Sequence, residues 1–106
     1  MNLSIVIPLY NEEKSLNELN SSILNVVNGM NINYEIIYVD DGSDDSSWKQ
    51  IKELSMKYNF VKGLRLSRNF GKSQALSAGF KGSKGKVVIT MDADLQDDPN
   101  EIPEFY

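Results

Sequence analysis

Asp92-Ala93-Asp94 follows directly on the apolar run Val87-Val88-Ile89-Thr90-Met91. Two carboxylates two residues apart at a strand's exit can both reach one divalent cation where the chain leaves a sheet. Hard cations such as Mg²⁺ and Mn²⁺ take oxygen ligands and leave coordination positions open for phosphate oxygens. A cation held in this way neutralises a diphosphate and turns it into a leaving group. A solvated acidic loop has the same spelling, so the tripeptide alone leaves both readings open. Gln96, two residues beyond Asp94, offers a third, neutral oxygen to the same cation, whereas Asp97 and Asp98 read as a solvated turn before Pro99.

Three further segments carry comparable chemistry, each after an apolar run: Pro8-Leu9-Tyr10-Asn11-Glu12-Glu13, Asp40-Asp41-Gly42-Ser43 and Ser67-Arg68-Asn69-Phe70-Gly71-Lys72. Tyr10 offers a face for stacking, and Pro8 stiffens the exit. Asp40 can accept from the ring N–H of a base, a donor that uracil and guanine both present. Asp41 and Ser43 read as turn and capping residues. Gly71 permits a sharp turn at a helix start, where free N–H groups and the helix dipole favour phosphate, and Lys72 adds a point charge there. Phe70 reads as core.

Composition narrows what these residues can do. The chain of 106 residues has no Cys and no His, which removes thiolate nucleophiles, Ser-His-Asp arrangements and most transition-metal sites. Chemistry falls to carboxylates, Lys, Arg, hydroxyls and a hard metal ion. The hydrophobic share of 41% and charged share of 25% suit a single globular domain or part of one. A net charge of −4 argues against nucleic acid as partner. That net value hides a segregation: residues 54–91 hold eight bases and no acid, while all fifteen acids lie elsewhere. A basic block leading into an acidic loop suits a small polyanion together with its cation. Lys81, Lys84 and Lys86 read as surface solvation. No apolar run approaches the roughly 18 residues of a membrane span, and residues 1–10 enter a strand instead of a signal peptide, so the expected location is cytoplasmic.

Four apolar runs rich in Ile, Val and Leu recur about every 25–30 residues: Leu3–Leu9, Tyr34–Val39, Val61–Leu66 and Lys86–Met91. Short, continuous and bounded by turn residues, they predict buried parallel strands. Helical spacing appears between them. Leu16, Leu19, Ile23 and Val26/Val27 predict a first helix with Asn11 as N-cap and Asn28-Gly29 as its stop. Trp48, Ile51, Leu54 and Tyr58 predict a second. Lys72–Lys81 predicts a third, with Ala75, Leu76, Ala78 and Phe80 inward and Gly79 allowing close packing. Pro99–Tyr106 reads as a turn running into one more helix, tolerated only if Pro103 lies in its first turn. Alternating strands and helices give βαβ units and an open α/β sheet, in which ligands bind outside the carboxyl ends of the strands. All the reactive segments above lie at those ends. A sheet of only four strands that stops at its most reactive loop reads as part of a longer protein.

Taken in order, Ile5–Glu12, Val39–Ser43, Asn69–Lys72 with Ala75–Gly79, and Met91–Asp97 resemble the motifs of family 2 glycosyltransferases. The nearest branch is that of dolichol-phosphate mannosyltransferase and the bacterial polyprenyl-phosphate glycosyltransferases. The resemblance spans nearly the whole chain. It departs from the branch at Asp97-Asp98-Pro99, where a single Asp is usual before the prolines. It implies a Rossmann-like GT-A fold, mostly parallel with helices on both faces, of which residues 1–106 would form the N-terminal, donor-binding part. It implies a UDP- or GDP-sugar donor, with Mg²⁺ or Mn²⁺ on Asp92, Asp94 and Gln96. Pro8, Tyr10, Glu12 and Asp40 would meet base and ribose, and Lys72 the diphosphate. It also implies inverting transfer to a polyprenyl phosphate or glycan acceptor at the cytoplasmic membrane face. The catalytic base, the acceptor site and membrane-associated helices would then lie beyond Tyr106.

Other readings use some of the same residues. Asp-x-Asp phosphatases place the motif after their first strand, here it follows the fourth. Receiver domains carry an acidic pair at the first strand's exit, here Asp40-Asp41 follows the second. Sugar-nucleotide pyrophosphorylases need a Gly-rich basic loop where this chain has Asn11-Glu12-Glu13. A nucleotide-sugar-binding module without turnover is the non-enzymatic alternative.

Overall fold

The computed structural model describes residues 1–94 and 98–106. Strand β1 (Leu3–Leu9) is followed by helix α1 (Leu16–Val27) and a 3₁₀ turn at Asn28–Met30. Then come β2 (Tyr34–Asp40), α2 (Ser47–Lys57), β3 (Val61–Arg65), α3 (Lys72–Gly82) and β4 (Val87–Thr90). A 3₁₀ turn at Pro99–Glu101 leads into the short helix α4 (Ile102–Phe105), with Pro103 in its first turn. The strands form one parallel sheet in the order β3-β2-β1-β4. Every strand therefore ends on the same edge.

Both faces of the central strands β1 and β2 are covered, which is why these two read as unbroken apolar runs. On one face Leu3, Ile5, Ile7, Ile36 and Tyr38 pack with Leu16, Leu19, Ile23 and Val27 of α1 and Ile51 and Leu54 of α2. Alternate residues of the same strands, Val6, Ile37 and Val39, meet Ala75 of α3 on the other face. That second layer is thin because α3 lies almost on the sheet. A Cβ on Gly79 would stand 2.3 Å from Val6 Cγ1, so the expected close packing at this glycine is observed.

Three local expectations are overturned. Asn11 does not cap α1, which starts only at Leu16. Its backbone is left-handed (φ 53°), a conformation Asn tolerates, and its Oδ1 accepts from Asp44 N–H in the loop opposite. Phe80 is 48% exposed, because α3 faces the sheet through Ala75 and Gly79 and a residue one position on is turned about 100° away. Phe70 is not core either: it is 44% exposed, with the Arg68 guanidinium 4.5 Å from its ring centre.

A buried polar cluster closes the edge opposite the strand exits. The Glu35 carboxylate, fully buried at the start of β2, accepts from Ser4 Oγ (2.6 Å), Lys62 Nζ (2.6 Å) and Lys84 N–H (2.7 Å). Burial alone pushes the Glu35 carboxyl up. The hydrogen bonds from Lys62, Ser4 and Lys84, with the charge of Lys62, outweigh it and hold the group below the usual carboxylate value.

Candidate active site

At the carboxyl edge, the loops after β1 and β2 are joined by reciprocal hydrogen bonds. Asn11 and Glu12 donate their N–H groups to Ser43 Oγ (2.8 Å) and Ser47 Oγ (2.9 Å), and Glu13 N–H reaches Asp45 Oδ2 (3.3 Å). In return Asp44 N–H donates to Asn11 Oδ1 and Ser46 N–H to Glu13 Oε2, both at 3.0 Å. Ser43 thus fastens the first loop and does not cap a helix. The N-terminal end of α2 is served by Asp45, whose Oδ1 accepts from Ser47 N–H at 2.8 Å. Burial raises the Asp45 carboxyl, but its hydrogen bonds from Ser47 and Glu13 prevail and lower it. This lacing fixes where Tyr10 and Glu12 stand, and Glu12 Oε2 is held further by Ser15 Oγ at 3.0 Å.

Beside these loops opens a cleft of about 190 Å³ lined by Pro8, Leu9, Tyr10, Glu12, Asp41, Lys72, Asp92, Ala93 and Asp94. Of the eight site residues expected from sequence, Pro8, Tyr10, Glu12, Lys72, Asp92 and Asp94 meet there, drawn from three different strand exits. Tyr10 is 44% exposed and so offers a ring to a ligand. Lys72 Nζ lies 2.6 Å from Asp92 Oδ1, a pair open to solvent on both sides. Gln96 lies outside the described residues.

Asp40 and Asp41 divide the work in a way the sequence did not disclose. Asp40 is fully buried and is not among the residues lining the cleft. Its Oδ1 accepts from Ser43 N–H at 2.9 Å. Its Oδ2 has no hydrogen-bond partner among the described residues, with Arg65 Nε 3.7 Å away. Asp41, read as a turn residue, instead borders the cleft and accepts from the backbone N–H groups of Phe70 (2.8 Å) and Gly71 (3.0 Å). The N–H of Gly71, expected to be available to phosphate, is therefore already engaged. No sequence signal marks a bond from a carboxylate to main chain some thirty residues away.

The donor set fits a hard divalent cation. Asp92 and Asp94 present carboxylate oxygens on the rim, and Asp92 already holds a positive charge in the ammonium of Lys72. Among the described residues no three His, Cys, Asp or Glu side chains cluster as a metal site, so two carboxylates would share the ion with oxygens from elsewhere. Asp98 takes no part among the contacts described: its Oδ1 caps the 3₁₀ turn through Asn100 N–H at 3.0 Å.

A family model described as Glycosyl transferase family 2 matches residues 4–106. Dolichol-phosphate mannosyltransferase of Pyrococcus furiosus is 47% identical over 105 residues, covering 99% of this chain and 29% of that protein. Undecaprenyl-phosphate 4-deoxy-4-formamido-L-arabinose transferase of Aeromonas hydrophila is 45% identical over 104 residues, 97% of this chain and 32% of that protein. The chain thus spans about a third of the length of the curated relatives it matches. Among solved structures, the mannosyltransferase PcManGT from Pyrobaculum calidifontis in complex with GDP-Man and Mn²⁺ superposes with a TM-score of 0.77 at 18% identity, over 98% of this chain and 30% of that one. The likeness extends to the whole described fold, as the GT-A expectation requires.

Proposed function

The chain belongs to glycosyl transferase family 2, and from that premise we propose that it forms the donor-binding part of a metal-dependent glycosyltransferase. The donor in this reading is a nucleotide-diphosphate sugar, the acceptor a polyprenyl phosphate at the cytoplasmic face of a membrane. The observation that carries the reading is the meeting of Tyr10, Glu12, Lys72, Asp92 and Asp94 in one cleft at the carboxyl edge of the sheet. A stacking ring, a hydroxyl acceptor, a cation and two hard-oxygen donors are the groups that a base, a ribose, a diphosphate and a divalent ion require. The relatives' names support the acceptor class, and the Mn²⁺ and GDP-Man of the mannosyltransferase support donor and metal. No helix among the described residues is long and apolar enough to cross a membrane, so contact with a lipid acceptor would come from surface or from other parts of the protein.

In this reading Tyr10 stacks on the base while Pro8 stiffens the strand exit beneath it. Glu12, fixed by Ser47 and Ser15, accepts from ribose hydroxyls. Lys72 neutralises part of the diphosphate charge, and Asp92 and Asp94 hold Mg²⁺ or Mn²⁺, with Gln96 as a further oxygen donor. When bound, the ion supplies charge neutralisation to the departing nucleotide diphosphate. The acceptor phosphate is already ionised and attacks the anomeric carbon from the face opposite that leaving group, with inversion. A nucleotide-binding titration tests this. UDP or GDP should bind at least tenfold more tightly with Mn²⁺ than with EDTA, about 1.4 kcal/mol. Asp94→Asn should remove that difference and Asp98→Asn should leave it intact. Equal affinity in Mn²⁺ and EDTA for the unmodified protein refutes the metal role.

A further inference from the structure

We infer that Ser47 is a positioning residue that sets Glu12 for the ribose, so that the cleft selects ribonucleotides over their dideoxy forms. The inference rests on the proposed role of Glu12 at the ribose hydroxyls. Ser47 is fully buried, is the first residue of α2 and is not among the residues lining the cleft. Its Oγ accepts from Glu12 N–H at 2.9 Å, so it reaches the loop that borders the cleft and not the cleft itself. The neighbouring bonds repeat the pattern. Ser43, Asp45 and Ser47 are alternate residues leading into α2. Between them they accept three consecutive N–H groups, those of Asn11, Glu12 and Glu13.

Such a bond positions its partner only if one side of it is rigid. Helix α2 is anchored in the core by Ile51 and Leu54, and Ser47 N–H is tied to Asp45 Oδ1 at 2.8 Å, so the hydroxyl projects from a fixed base. The receiving loop carries its own constraint. Asn11 is left-handed at φ 53°, and the next peptide brings Glu12 N–H onto Ser47. Beyond the main chain, Glu12 Oε2 accepts from Ser15 Oγ at 3.0 Å, at the N-cap of α1. Main chain and carboxylate of Glu12 are thus held from two different helices. A carboxylate that accepts a ribose hydroxyl must be kept within about 0.5 Å of its working place. Removing Ser47 Oγ releases the main-chain half of that hold and leaves the ligand's other contacts intact.

Ser47→Ala tests this with little burden on the fold, since Ala is smaller and a better helix former. In Mn²⁺, UDP or GDP should bind the unmodified protein about tenfold more tightly than its 2′,3′-dideoxy form. In Ser47→Ala that preference should shrink to about twofold or less, with the dideoxy affinity itself unchanged within about twofold. Glu12→Ala should abolish the preference too, and the double variant should be no weaker than Glu12→Ala alone. An undiminished preference in Ser47→Ala, equal weakening of both ligands, or an additive loss in the double variant overturns the inference while leaving Glu12 in its role. A preference that is absent from the unmodified protein, or that survives Glu12→Ala, removes that role and the inference with it. Amide hydrogen exchange on the unmodified protein gives an answer even if Ser47→Ala does not fold. The Glu12 amide should exchange at least about tenfold more slowly than in an unstructured peptide, and exchange at the unstructured rate refutes the clamp.

Discussion

Asp40 shows how much a single oxygen can decide. Its Oδ1 is committed to Ser43 N–H, while Oδ2 is buried without a hydrogen-bond partner among the described residues. A buried acceptor left unpaired is costly, and the guanidinium of Arg65, with Nε 3.7 Å away, offsets part of that cost. In Asp40→Asn the amide keeps its carbonyl on Ser43 and turns NH₂ toward that guanidinium, donor against donor. Urea unfolding should show stability falling by about 1–3 kcal/mol, while UDP or GDP affinity changes by less than about twofold, since Asp40 lies outside the cleft. A tenfold loss of nucleotide affinity with stability unchanged would instead put Asp40 at the ligand. Sequence disclosed the residues around this point unevenly. Tyr10, Glu12, Lys72, Asp92 and Asp94 were readable because each follows an apolar run, and strand exits of a parallel sheet share one edge. The roles of Asp41, Ser43 and Ser47 were not, because each meets main-chain N–H groups of a distant loop, and main chain leaves no trace in residue type.

At the scale of elements, strand limits were legible to within a residue or so; α3 starts at Lys72 as expected, but the start of α1 was not legible. The central strands β1 and β2 are buried on both faces, so hydrophobicity alone delimits them. The start of α1 depends on how two loops lace together, which places Asn11 in the loop and delays the helix to Leu16. Glu35 joins more elements than any residue the sequence singled out. It links β1 through Ser4, β3 through Lys62 and the α3–β4 turn through Lys84. Glu35→Gln should cost about 1–3 kcal/mol at neutral pH, since the charged acceptor is lost while Lys62 regains solvent. The carboxyl is held below its ordinary value of about 4.3, so the unfolded chain binds the proton first as pH falls. The stabilisation is therefore complete above that ordinary value and disappears as pH drops through the depressed native one. Urea unfolding at pH 7 and near pH 3 should show a gap between wild type and Glu35→Gln that closes in acid. An undiminished gap at the lower pH would mean that the carboxylate charge contributes nothing.

Over the whole molecule, the two edges of the sheet differ in how they meet solvent. The β3 edge carries Lys62 and Arg65 within five residues, charges that discourage pairing with another strand. β4 carries none: its four residues are Val87, Val88, Ile89 and Thr90, and it pairs with β1 on one side only. Among the described residues no strand pairs with its outer side. Val88 is 38% exposed and Phe105 65%, both beside an open trough of about 310 Å³ along the strand. Unpaired main-chain donors and acceptors next to exposed apolar side chains form a template for a second chain. Residues 1–106 in isolation should therefore associate as concentration rises, through β4. Sedimentation velocity from the micromolar to the near-millimolar range should show the shift, and Val88→Lys should suppress it by putting a charge on the edge. UDP or GDP affinity should be unchanged in that variant, since Val88 does not line the donor cleft. A chain that stays monomeric across the range, or a Val88→Lys variant that associates as strongly as wild type, would show that β4 is protected by something other than charge.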